Sequence, residues 1–73
     1  MDDFTFLVWL TLDDGFTTAR GYCTRLGAVR AYNALRKGRP VSGFPSMVCW
    51  REIGWREYTG TLSDEIILSR ARA

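Results

Sequence analysis

One short segment narrows the possible folds more than any other: Phe4 to Leu12, followed at once by Asp13-Asp14-Gly15. Thr, Val, Trp and Phe favour an extended backbone. At period two, Phe4, Phe6, Val8, Leu10 and Leu12 share one side, while Thr5, Leu7, Trp9 and Thr11 share the other. Asp-Gly is a strong short-range hairpin signal, because glycine accepts the positive φ that such a turn requires. The sequence therefore predicts a strand, a turn and a return strand from Phe16 to about Cys23, although Thr17 or Thr18 can also cap an earlier helix. A chain that opens on a hairpin builds an antiparallel sheet.

The next element is helical. Thr24 suits the N-cap, and Ala28, Ala31, Tyr32 and Leu35 recur at spacings of three and four. Arg36 and Lys37 suit the negative end of the helix dipole. Gly38 fits the position just past the helix, and Pro40 blocks continuation. Gly27 weakens the first turn by about 1 kcal/mol. Gly38 to Ser46 reads as a loop. Met47 to about Ile53 reads as a strand with apolar residues on both sides, Gly54 as a bulge or turn, and Trp55 to Leu62 as a further strand or a ragged extension. Ser63 can cap a short helix from Asp64 to Arg72, resting on Ile66 and Ile67, although Ile66-Ile67-Leu68 fits a strand nearly as well. The expected architecture is a single α+β domain over residues 1–73. It is a small antiparallel sheet, hairpin first, with the central helix packed on one face, in the approximate order β-β-α-β-β-α.

Seventy-three residues bury only about 60% of the surface of the unfolded chain, so a second copy is a natural means of extending the core. Hydrophobic residues make up 47% of the chain, enough to fold. Asp2 and Asp3 stand where a secretory leader carries basic residues, and no apolar run is long enough to span a bilayer. Two cysteines, Cys23 and Cys49, are too few for a disulfide scaffold. A reducing cytoplasm with both thiols buried is the simplest expectation, with a Cys23–Cys49 bridge as the alternative.

Chemistry finds little support. Histidine is absent, removing the commonest general base and neutral metal ligand. Two distant cysteines form neither a redox pair nor a zinc site. Asp13 and Asp14 are explained by the turn, and the glycines form no phosphate-binding loop. The expectation is a non-enzymatic protein with no cofactor, no metal and no membrane attachment.

Two surfaces remain. Leu7, Trp9, Val48 or Cys49, Trp50 or Ile53, and Trp55 leave the second side of the sheet too apolar for water, and tryptophan, tyrosine and arginine are enriched at interface hot spots. The leading expectation is therefore a protein-interaction module, acting as homodimer, adaptor or inhibitor, through Trp9, Trp50, Trp55, Arg51 and Arg56. The repeated step W-R-E-I-G-W-R-E places Trp50 and Trp55 on opposite sides of a strand unless a bulge at Gly54 brings them to one side. The alternative is nucleic-acid binding by Arg25, Arg30, Arg36, Lys37 and Arg39, because no acid interrupts the chain between Gly15 and Trp50.

Overall fold

The most apolar strand takes the centre of the sheet, where both of its edges are paired. The computed structural model describes residues 4–46 and 49–72. Its elements run β1 (Phe6–Leu12), β2 (Thr17–Tyr22), α1 (Arg25–Arg36), β3 (Trp50–Glu57) and α2 (Leu62–Arg72). The sheet is antiparallel throughout, in the order β2-β1-β3. Leu7, Val8 and Leu10 of β1 are fully buried, and burial of such side chains contributes about 1.5–3 kcal/mol each.

The hairpin turn works as its residues require. Gly15 N–H donates to the Leu12 carbonyl at 3.0 Å, and Leu12 N–H donates to the Phe16 carbonyl at 2.9 Å. Gly15 has φ +92°, and the Asp14 carboxylate accepts from Phe16 N–H at 2.9 Å. Helix α1 begins where Thr24 Oγ1 accepts from Gly27 N–H at 3.1 Å. It ends with Gly38 at φ +74°. Gly38 and Arg39 N–H there return to the Leu35 and Ala34 carbonyls, which satisfies the last turn.

Val8 and Leu10 meet Ala28, Ala31 and Leu35 to form the main core, with Phe6, Leu12, Tyr22, Val41, Phe44, Ile53 and Trp55 packed around it. Leu7 and Leu68 are buried outside that cluster. They belong to the opposite face, where α2 packs against β2. Helices thus serve both faces of the sheet, whereas the sequence suggested one.

Several expected boundaries move. The order is β-β-α-β-α, not β-β-α-β-β-α, because β3 runs unbroken through Gly54 and absorbs the first part of the supposed fourth strand. Residues 58–61 form a connection rather than a strand. Helix α2 starts at Leu62, and its cap is Thr61 rather than Ser63: Thr61 Oγ1 accepts from Asp64 N–H, and Asp64 Oδ2 accepts from Thr61 N–H. Cys23 and Cys49 are exposed and unbridged, where buried thiols were expected. Met47 and Val48, assigned to a strand from sequence, lie outside the described residues, as do Asp2 and Asp3.

Candidate functional site

Strand β3 carries most of the residues singled out as an interface. Its pairing with β1 shifts between Thr11↔Glu52 and Leu12↔Trp50, leaving Arg51 as the extra residue. The bulge is therefore at Arg51 and not at Gly54. It still brings both tryptophans to one face, since Trp50 opposes Leu12, Ile53 opposes Leu10 and Trp55 opposes Val8. Ile53 stands between them. Trp55 is half-buried against the core, with the Arg25 guanidinium 5.5 Å from its ring centroid. Trp50 is 40% exposed. Arg51 is exposed and donates to the Asp13 carbonyl at 2.8 Å, tying the start of β3 to the hairpin turn.

Trp9 and Arg56 lie on the other face. A methyl group at Gly54 would collide with the Trp9 indole, so this glycine exists to let the ring lie across the strand. The Arg56 guanidinium sits 5.9 Å from the Trp9 centroid and forms an ion pair with the fully buried Asp64. This covers much of the surface expected to be open, and Leu7 is wholly enclosed. Burial alone would raise the Asp64 pKa. The Thr59 N–H and hydroxyl, the Thr61 N–H and the Arg56 charge outweigh burial and hold it at about 2.

The five basic candidates do not converge. Arg25 packs over Trp55, and Arg36 lies 5.5 Å from the Tyr32 centroid. Arg30 is about 140° around the helix from Arg25. Lys37 is the C-cap of α1 and Arg39 lies beyond it, both exposed. Arg30 instead joins Arg20, which was outside the expected set. Together with Tyr22, Ala31, Ala34, Pro40 and Val41 they line an open groove of about 430 Å³ between β2, α1 and the following loop. The Arg20 guanidinium lies against Gly43, whose φ of +87° favours glycine. Among the described residues, neither Arg20 nor Arg30 has a carboxylate partner. Burial pushes the Tyr22 hydroxyl up against the opposing effect of Arg20, so it remains a donor at neutral pH. The acid-free stretch contained both arginines, but only the strand–helix crossing sets them on one groove.

Among the described residues, no group of three carboxylates, cysteines or histidines is placed to hold a metal ion, and no helix is long and apolar enough to cross a membrane. Compared with known protein families, characterised proteins and solved structures, the chain matches none.

Proposed function

We propose that this chain is a small non-enzymatic protein-interaction module that docks through β3. The observation that carries this reading is an eight-residue strand at the edge of the sheet whose outer side pairs with no strand among the described residues. Trp50 stands exposed at its start. An unpaired edge offers a ladder of N–H and C=O groups that a second strand completes, and alternate side chains then select the partner. Exposed aromatics extend the surface: Trp50 opposes Leu12, and Leu12 bonds on its other side to Phe16, which is 51% exposed. Trp9 and Trp55 support the strand from its two faces rather than offering free rings. Two exposed thiols suit a reducing cytoplasm. The test is recovery of partners from the native cell with the tagged chain and with Trp50→Ser. A partner, or the untagged chain itself, should be retained by the first and lost by the second; identical recovery would remove the basis of this reading.

A second reading follows from the Arg20–Arg30 groove. Two guanidiniums without carboxylate partners among the described residues, beside an apolar floor, suit a phosphate group with a flat base next to it, as in single-stranded nucleic acid. Binding of a labelled single strand should then weaken steeply with salt and be lost in Arg20→Ser/Arg30→Ser. Absence of binding at about 50 mM salt would end this reading.

A further inference from the structure

Strand β3 is complementary to itself in charge. From Arg51 to Glu57 the order is Arg, Glu, Ile, Gly, Trp, Arg, Glu. Turned end for end, the strand sets Glu52 against Arg56 and Ile53 against Trp55, with Gly54 against itself, and brings the bulged Arg51 to the end of the pairing where Glu57 stands. We propose, resting on the reading that β3 is the docking element, that its partner is β3 of a second copy of this chain. The two strands pair antiparallel about a two-fold axis at Gly54, joining two three-stranded sheets into one of six strands.

Backbone geometry selects the same register. Tyr58 N–H donates to the Thr5 carbonyl at 2.7 Å. By the alternation of an antiparallel ladder, Glu52, Gly54 and Arg56 then turn their backbone groups toward β1, and Ile53, Trp55 and Glu57 turn theirs outward. The proposed pairing places Ile53 opposite Trp55 of the second copy, outward groups facing outward groups. A slip of one residue would set outward groups against inward ones and form no ladder. A slip of two in either direction keeps the ladder but breaks every arginine–glutamate pair.

Side chains agree with this register. The Glu52 and Glu57 carboxylates have no ion pair or hydrogen bond among the described residues. Arg56 gives its Nη2 to Asp64 and buries its Nε, yet 37% of its side chain stays exposed, so its charge is open to a carboxylate from outside. Glu52 and Arg56 of opposite copies occupy a pair without backbone bonds, where side chains approach most closely. On the α1 face, half-buried Ile53 and Trp55 meet their counterparts and complete an apolar surface that one copy leaves open. Gly54 brings no side chain of its own to the axis, where the Trp9 indole of the same chain covers it. A two-fold pairing consumes the β3 edge in both copies and so stops at two.

Sedimentation equilibrium of the full chain tests this directly. The wild-type chain should be dimeric at about 100 µM, and Arg51→Glu or Glu57→Arg alone should each weaken the dimer at least about tenfold through like charges at both ends. An equimolar mixture of those two variants should recover it, because a copy with two carboxylates then faces a copy with two guanidiniums. Circular dichroism unchanged from wild type shows that each variant still folds, since among the described residues the Arg51 side chain bonds only to the exposed Asp13 carbonyl and the Glu57 carboxylate to no polar group. A monomeric wild type, a dimer indifferent to these substitutions, or a mixture that stays monomeric would overturn the proposal. A monomer that still loses a different cellular partner on Trp50→Ser overturns self-pairing and leaves the interaction reading standing; a monomer without any such partner ends both.

Discussion

On the α1 side of the sheet, Val8, Leu10, Ala28, Ala31 and Leu35 close the core through apolar contact alone. On the α2 side, Leu7 and Leu68 are buried too, but the rest of the contact is directional. Asp64 accepts three hydrogen bonds and pairs with Arg56, Arg56 overlies Trp9, and Trp9 lies across Gly54. The first face asks only for apolar side chains of suitable volume and shape. The second depends on particular atoms meeting in particular geometry, and it orients one face of the strand proposed to dock. An apolar face sets stability, and a keyed face sets the position and flatness of an edge.

Substitutions can separate these roles. The largest expected effect is on the first face: Leu10→Ala leaves a cavity under α1 and should cost about 3–4 kcal/mol, read from urea unfolding. Next comes the keyed face. Gly54→Ala forces the Trp9 ring off the strand and should cost about 2–3 kcal/mol, but nearly nothing in a Trp9→Ala background. Equal cost in both backgrounds would show that the glycine serves the backbone rather than the ring. The smallest effect is that of Asp64→Asn, about 1–2 kcal/mol near neutral pH, since the partly exposed Arg56 regains water.

Acid sharpens the last prediction. The Asp64 carboxyl titrates at about 2 in the folded chain, against an ordinary value of 3.8. Between those values the unfolded chain binds more protons, so stability rises with pH. The Asp64 contribution is thus complete above 3.8 and is lost as pH falls through about 2. Stability measured across this window should fall less steeply in Asp64→Asn than in the parent chain.

Local rules carried much of the fold. The period-two pattern of β1, the Asp-Asp-Gly turn, the Thr24 cap and the Gly38 stop are each decided by residues a few positions apart, and each appears where its chemistry requires. The second helix was legible as well, but its cap was misassigned because Ser63 and Thr61 offer the same hydroxyl. Only the approach of Asp64 to the Thr59 and Thr61 N–H groups distinguishes them.

The interface residues were legible as types and not as places. Trp9, Trp50 and Trp55 look alike in sequence, yet one lies across a glycine, one stands exposed and one packs on the core. The bulge that brings Trp50 and Trp55 to one face is a mismatch between two strands, so no property of β3 alone could place it at Arg51. The convergence of Arg20 with Arg30 has the same origin. By itself the sequence determined the elements whose hydrogen bonds and apolar period are local: a hairpin, a capped helix and a strand whose charges complement themselves. Tertiary structure alone decided the strand order β2-β1-β3, the helix on the second face and the place of β3 at the edge of the sheet. Those depend on contacts between residues far apart in the chain, which the spacing along it does not encode.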